Sequence, residues 1–222
     1  MLLPLVCALA LQIPGDEGTL VLREDTAVVG QETFAVVSLA ANGTPNGWRV
    51  GSRARYGVGS RSVLYGPVVG IGPDTNLVSL EYEVAEPAGP LRILGQTGRG
   101  GRFTVRYLTP ERERTREFSA GPGVLLLDDS VMALYLPAAW RARPTPTPMP
   151  ALFARAMRQE TLTVADRGVE STQVNRAPAT LRHITVTGGA AQLVHLWLDP
   201  GGRLTKVEIP SRALVAERAP AP

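Results

Sequence analysis

Apolar and polar residues alternate along most of the chain, with the two-residue period of a β-strand that has one buried face. In residues 77–84, Leu80 and Tyr82 fall on one face and Glu81 and Glu83 on the other. In residues 102–108, Phe103, Val105 and Tyr107 share a face. Similar patterns predict about eleven or twelve strands. They include residues 18–26, 27–40, 48–56, 114–118, 160–165, 169–175, 180–187, 192–198, 203–209 and 214–217.

Short turn sequences separate these strands. Residues 98–101 read Gly-Arg-Gly-Gly, and residues 199–202 read Asp-Pro-Gly-Gly. Proline fixes φ and glycine supplies the left-handed position that such turns need. Tight turns join antiparallel neighbours, so the protein is predicted to be mainly β, an antiparallel meander curled into an open or half barrel with one short helix.

The one helix is predicted at residues 131–140, with Asp129 or Ser130 as its N-cap and Pro137 limiting its length. Residues 143–150 hold four prolines, which favour extended geometry, so they are predicted to be a connector on the outside. Because the strands beyond it would make a marginal core alone, residues 15–222 are predicted to be a single β-rich domain.

Residues 1–14 resemble a secretory signal peptide. Residues 2–11 form a short apolar stretch, and Ala8-Leu9-Ala10 has the small-x-small form of a cleavage site. No basic residue precedes the stretch, and the alternative is a buried first strand. We expect a periplasmic or secreted protein. Cys7 is the one cysteine, so removing the leader would leave no disulfide and no thiol chemistry.

The charge pattern argues against a nucleic-acid partner. The net charge is only +3. Arg53 and Arg55 lie on the opposite strand parity from Tyr56, so arginines and aromatic residues do not share the face that base stacking requires. Surface arginines suit anionic envelope components better. No apolar run after the leader is long enough for a transmembrane helix.

Few residues suggest catalysis, and the sequence predicts no catalytic residue, metal or cofactor. The two histidines, His183 and His195, lie on strands whose register depends on an unknown loop: one register puts them on opposite faces, another puts them face to face. In the second, Asp199 would make a two-histidine-plus-carboxylate site. Asp128 and Asp129 could pair for acid–base work, but adjacent strand residues point opposite ways, which favours capping.

Residues 194–210 end in the pattern W-x-D-x-x-G-R-x-x-K-V-x-x-P, and Gly30-Gln31-Glu32 and Leu127-Asp128-Asp129 stand earlier in the chain. Together these resemble bacterial exported β-rich proteins of uncharacterised families (domains of unknown function). The resemblance implies an open barrel similar to periplasmic lipoprotein carriers, in which a curled sheet and a small helical element enclose an apolar cavity.

The sequence therefore predicts an exported, non-catalytic protein that binds a hydrophobic or amphipathic, lipid-like ligand in the concave face of the sheet. One alternative is an envelope structural or interaction module with a filled barrel and a protein partner. Another is a hydrolase or metal-dependent enzyme that uses His195 with Asp199, or Glu32. The candidate ligand-binding residues are Leu80, Tyr82, Phe103, Val105, Tyr107, Leu134, Tyr135 and Trp197.

Overall fold

The computed structural model describes residues 15–41, 44–188 and 193–220, and every strand in these ranges belongs to one sheet. The predicted leader and the Gly188-Gly189 turn beyond its first residue lie outside the described residues. The strands are β1 (Asp16–Glu24), β2 (Ala27–Ala41), β3 (Thr44–Tyr56), β4 (Val63–Ile71), β5 (Leu77–Glu86), β6 (Gly89–Thr97), β7 (Arg102–Leu108), β8 (Glu113–Ser119), β9 (Leu125–Leu126), β10 (Thr147–Phe153), β11 (Arg158–Val174), β12 (Ala177–Thr187), β13 (Leu193–Leu198), β14 (Leu204–Ile209) and β15 (Leu214–Arg218).

The sheet is an antiparallel meander with one long-range junction and, at one edge, a short parallel pair between β9 and β10. Its order runs from β8 back to β1, then from β15 back to β9. The first and last strands therefore lie side by side in the middle of the sheet, with Leu20 opposite Arg218 and Glu24 opposite Leu214. Since β8 and β9 do not pair, the sheet is curled but not closed, which confirms the predicted fold class.

One chain segment fills the space that the inward face of the sheet surrounds. Residues 124–139 contain β9, a 3₁₀ turn (Met132–Tyr135) and most of helix α1 (Leu136–Arg141). We call residues 124–139 the plug. Its side chains are buried except at Asp129 and Ser130, and its apolar residues join the inward-facing strand residues in one core. Burial of so much apolar surface is the main stabilising contribution expected for this fold.

The short helix forms where the sequence predicts it, but its cap differs from the prediction. The 3₁₀ turn begins after Val131, and neither Asp129 nor Ser130 caps it. The cap comes from β2: the carboxylate of Glu32 accepts hydrogen bonds from the backbone N–H groups of Met132 and Ala133, at 2.7 and 2.9 Å. A buried helix start needs such an acceptor, and here it lies a hundred positions away in sequence.

Two strands in the second half differ from the sequence pattern. The predicted turn at residues 166–168 is a β-bulge within the single strand β11, and the chain reverses instead at Asn175 and Arg176, both with positive φ. Strand β10 begins inside the predicted connector. It pairs with β11 along its whole length but with β9 at only two residues, so the missing N–H groups of Pro148 and Pro150 are tolerated at this edge.

Side chains join the two ends of the curled sheet. Arg116 on β8 donates a hydrogen bond to the carbonyl of Met157, and Gln159 on β11 donates one to the carbonyl of Ser119, both at 2.7 Å. The two edges of the sheet are thus joined by side-chain hydrogen bonds and not by backbone pairing between strands. Within the described ranges, no helix has the length and apolar character needed to span a bilayer.

Candidate functional site

The eight predicted ligand-binding residues are all buried. None is more than 6% exposed. Seven belong to the main core around the plug, and Leu134 and Tyr135 are part of the plug itself. Trp197 instead lies outside that core, where its indole stacks on the imidazole of His183. The plug occupies the space that a ligand on the concave face would take, so binding there remains a prediction that requires the plug to move.

Glu32 is the most deeply buried carboxylate that the structure describes. Besides the two plug N–H groups, it accepts a hydrogen bond from Ser52 Oγ at 2.7 Å. Burial raises the pKa of Glu32 to about 7, while the three hydrogen bonds and a weak repulsion from Asp128 act as smaller, partly opposing influences. Both carboxylate oxygens of Glu32 accept hydrogen bonds from the protein itself, and two of these bonds hold the plug against β2.

Asp128 attaches the start of the plug to two other parts of the chain. It accepts two hydrogen bonds from the guanidinium of Arg155, at 2.8 and 3.0 Å, and a third from the hydroxyl of Tyr82 at 3.0 Å. Its Oδ1 also accepts from the N–H of Ser130. Burial and the neighbouring carboxylate raise the pKa of Tyr82 far above its ordinary value, so this hydroxyl remains a donor.

Asp129 faces away from Asp128 and makes a separate set of contacts. It pairs with Arg158 at 3.2 Å and accepts from the hydroxyl of Tyr135 at 3.3 Å. The predicted capping role is wrong, and the two adjacent carboxylates do not converge on a common point. The polar interior thus holds the plug in place, because each carboxylate is already satisfied by fixed donors.

The larger open spaces lie on the outward face of β1–β7. One groove of about 600 Å³ crosses β3–β7, and a second of about 940 Å³ lies along β1–β4. They adjoin at Arg53 and Leu64, which line both, so we treat them as one outer groove. Their volumes suit a small-molecule site, typically about 300–1,000 Å³.

Strand register explains the shape of the outer groove. In the row that joins Gly66, Glu83, Arg92 and Leu108, each residue is opposite the next across neighbouring strands. Gly66 contributes no side chain, so the surface is recessed there. The remaining lining is mostly apolar. Its apolar residues outside the core are Val21, Val28, Val58, Leu64, Ala85, Pro90, Leu108 and Pro110, and the core residues Val29, Val84 and Leu91 border it from below.

Three arginine side chains line the outer groove without forming ion pairs within the described part of the chain. Arg53, Arg55 and Arg92 make no ion pair or side-chain hydrogen bond within the described part of the chain. Val58 is 87% exposed at one end of the groove. The lining also holds two carboxylates: Glu83, which is opposite Arg92, and Glu24, which pairs with Arg212. The groove still has one positive charge more than negative charges, so an apolar floor with guanidinium groups is complementary to a molecule that has both an alkyl part and an acidic head.

The two histidines meet on the outward face of β12 and β13. Thr185 is opposite His195 and His183 is opposite Trp197, a register that differs from both of those considered above. The imidazoles are diagonal neighbours on one face, with Nε2 of His183 at 2.8 Å from Nδ1 of His195. Asp199 is not with them, because it accepts hydrogen bonds from Arg203 in the following turn.

The sequence pattern did not predict the outer groove, nor that Glu32 binds the backbone of the plug. Alternation with buried residues correctly predicts that Arg53 and Arg55 lie on the outward face. It does not show whether an outward arginine is only in contact with water or also lines a groove. One feature of β4 could have indicated the groove. Gly66 lies between the larger outward residues Leu64 and Val68, so the outward face of this strand has a gap at that position.

Comparison with known proteins supports the fold and does not extend to function. No protein-family model matches the chain, and no curated protein matches it. A beta-barrel-like protein of the domain of unknown function DUF1849 from Brucella abortus is similar in structure, with a TM-score of 0.60, 11% identity, and coverage of 93% of this chain and 96% of that one. A DUF1089 family protein from Pseudomonas aeruginosa has a TM-score of 0.43 and 14% identity, over 80% of this chain and 89% of that one. The first similarity confirms, for the fold alone, the resemblance to uncharacterised bacterial β-rich proteins.

Proposed function

We propose that the protein is an exported, non-catalytic binding protein that holds an acidic amphiphile, a lipid-like molecule with one alkyl chain, in the outer groove. The observation that carries the proposal is the combination of an apolar floor with three arginines, Arg53, Arg55 and Arg92, that have no ion-pair partner among the described residues. The plug supports this location over the concave face, because it already fills the interior with the protein's own side chains.

The alkyl part of the ligand accounts for the apolar lining. Leu64 and Leu108 are outward-facing and would lose water contact on binding, at roughly 25 cal/mol per Å² of apolar surface covered. The acidic head accounts for the arginines, because a guanidinium binds a carboxylate or phosphate through two parallel hydrogen bonds. The leader-like residues 1–14 are consistent with the envelope, where such amphiphiles are abundant.

Filling the recess at Gly66 is expected to weaken ligand binding at least tenfold without destabilising the fold. In Gly66→Leu the new Cβ would lie 3.6 Å from the carbonyl of Glu83, an ordinary contact, and the rest of the side chain would project into the groove. Gly51→Leu is the matched control, because Gly51 is also outward-facing, on β3, has open space around it, and does not line the groove. Fluorescence titration with 11-(dansylamino)undecanoic acid measures both affinities.

Unaltered binding by Gly66→Leu, with an unaltered unfolding temperature, would place the ligand elsewhere. Absence of saturable binding by the unmodified protein, together with a clean mass in native mass spectrometry after incubation with envelope lipid extract, would reject the lipid-like ligand. The filled-barrel alternative, an interaction module with a protein partner, would then be favoured.

Neutralising one groove arginine is expected to lower affinity for the acidic probe by at least about tenfold, since a hydrogen bond to a charged group contributes about 1.5–3 kcal/mol. The change is Arg53→Gln. Arg114→Gln on β8 serves as the control, because Arg114 is exposed and lies outside the groove. The methyl ester of the probe should bind both variants equally. Equal loss with acid and ester would mean that Arg53 supports the shape of the groove and does not recognise charge.

A further inference from the structure

A row of outward residues crosses the outer groove and carries both signs of charge. Glu83 on β5 is opposite Arg92 on β6 and, on its other side, opposite Gly66 on β4. The register of β3 with β4 puts Arg53 next to Gly66 in the same row. All four residues line the groove. The row thus presents a cation, a gap without a side chain, an anion and a second cation.

The charges of this row differ from those of the strands beside it. Glu83 and Arg92 are opposite each other, yet neither forms an ion pair or a side-chain hydrogen bond within residues 15–41, 44–188 and 193–220. On β7 and β8 an arginine and a glutamate do pair, because Arg106 donates two hydrogen bonds to Glu113. The charges in the groove are therefore available to a bound molecule.

The spacing of the row suits a head group with two opposite charges. Neighbouring strands lie about 4.8 Å apart, so the backbones at Arg53 and Glu83, two strands apart, are separated by roughly 10 Å. The missing side chain of Gly66 leaves room between them. A head group with an ammonium and an acidic group a few bonds apart can therefore contact Glu83 with the first and Arg53 with the second.

The chemistry of these side chains decides which kind of head group fits. An ionised carboxylate only accepts hydrogen bonds, so Glu83 needs a donor, and a primary ammonium supplies three N–H groups. A guanidinium only donates, so the arginines need acceptors, which a phosphate or carboxylate provides in pairs. A purely anionic head would be repelled by Glu83, and a purely cationic head would be repelled by the arginines. A head with both kinds of group satisfies the whole row.

We propose that the acidic head of the bound amphiphile also carries a primary ammonium group, which binds Glu83 while its phosphate or carboxylate binds Arg53. This inference rests on the proposed function, because it names the head group of the same ligand in the same groove. It distinguishes single-chain lipids whose phosphate is joined to an amine from those whose phosphate is joined to a neutral alcohol.

The test uses two single-chain phospholipids with the same lauroyl chain and the same phosphodiester. Lauroyl lysophosphatidylethanolamine carries a primary ammonium, whereas lauroyl lysophosphatidylglycerol carries neutral hydroxyls in its place. Each is titrated at pH 7, below the concentration at which micelles form, into protein loaded with 11-(dansylamino)undecanoic acid. Displacement of the probe, followed by its fluorescence, gives both affinities.

Glu83→Gln is expected to lower affinity for the ethanolamine lipid about three- to fivefold, the modest effect of losing one ion pair that is open to solvent. Affinity for the glycerol lipid should not fall, because that lipid has no ammonium to lose. Glu83→Asp keeps the charge and should retain the preference for the ethanolamine lipid. Glu81→Gln is the matched control, because Glu81 is also outward-facing and exposed on β5 but does not line the groove.

The proposal is overturned if Glu83→Gln binds the ethanolamine lipid as tightly as the wild type does, or loses no more affinity than Glu81→Gln. If the dansyl probe still binds in that case, the groove remains the site and the ammonium group alone is rejected. If neither lipid and no probe binds saturably, the groove site and its head group are rejected together.

Discussion

Replacing Asp128 with alanine is expected to lower the free energy of unfolding by about 3–5 kcal/mol, the usual effect of removing one partner from a buried ion pair. The substitution leaves the guanidinium of Arg155 without its two carboxylate contacts, and it removes the acceptor for Tyr82 and Ser130. The Arg155 side chain is 29% exposed, so water can compensate in part, and we expect the lower end of this range. Guanidinium denaturation followed by tryptophan fluorescence measures the change.

The chain offers a matched control for this experiment. Glu113 makes the same two-bond contact with Arg106, at 2.7 and 3.1 Å, but both side chains are about half exposed. Glu113→Ala is therefore expected to destabilise the fold far less than Asp128→Ala, because solvent screens an exposed ion pair. If Asp128→Ala were no more destabilising than Glu113→Ala, the plug would not depend on this contact, and its position would have to be explained by apolar packing alone.

The second large effect concerns pH. Burial raises the pKa of Glu32 to about 7 from an ordinary value of 4.5. A group whose pKa is higher in the folded state stabilises that state fully below the unfolded pKa, and this contribution is lost as pH rises through the folded pKa. Glu32 should thus make the protein about 3 kcal/mol less stable above pH 7 than below pH 4.5, at about 1.4 kcal/mol per pKa unit.

The contribution of Glu32 is isolated by comparison with Glu32→Gln. Glutamine has nearly the shape of the protonated acid and does not ionise. Its NH₂ group cannot accept the hydrogen bond that one of the two carboxyl oxygens accepts, but that loss is the same at every pH and does not affect the comparison. The difference in unfolding free energy between wild type and variant, measured by denaturation from pH 4.5 to 8, should change by about 3 kcal/mol in favour of the variant. Titration of His195 contributes equally to both proteins and cancels. A constant difference across this range would show that Glu32 ionises as it does in water.

Local sequence predicted the fold but not the arrangement of its interior. Strand β7 has the bounds that alternation predicts. In an antiparallel strand with one buried face, apolar and polar residues alternate, so the strand's own sequence shows which side faces the core. Glu32 fits that pattern poorly, since it occupies an inward position of β2 among apolar residues. A carboxylate stands at this position because it binds the plug, which lies a hundred residues away in sequence, and no local pattern indicates that contact.

Register was the other quantity that the sequence left open. His183 and His195 share a face only because of the length of the loop between β12 and β13, and a shift of one position would separate them. The bulge at Asp166 is a similar case. Its Asp-Arg-Gly sequence is equally suited to a turn, and pairing with β12 on both sides of the bulge decided the outcome.

The pairing of β1 with β15 has a consequence for how the chain acquires its structure. The meander from β1 to β8 and the strands from β9 to β14 are each built from neighbours in sequence, whereas β1 and β15 join residues about two hundred positions apart. Long loops close late, because the entropy of the intervening chain must be lost before the contact is made. During synthesis the free edge of β1 therefore remains open to other chains until β15 has emerged, and premature release of the chain would leave two unpaired halves of the sheet that are prone to aggregation.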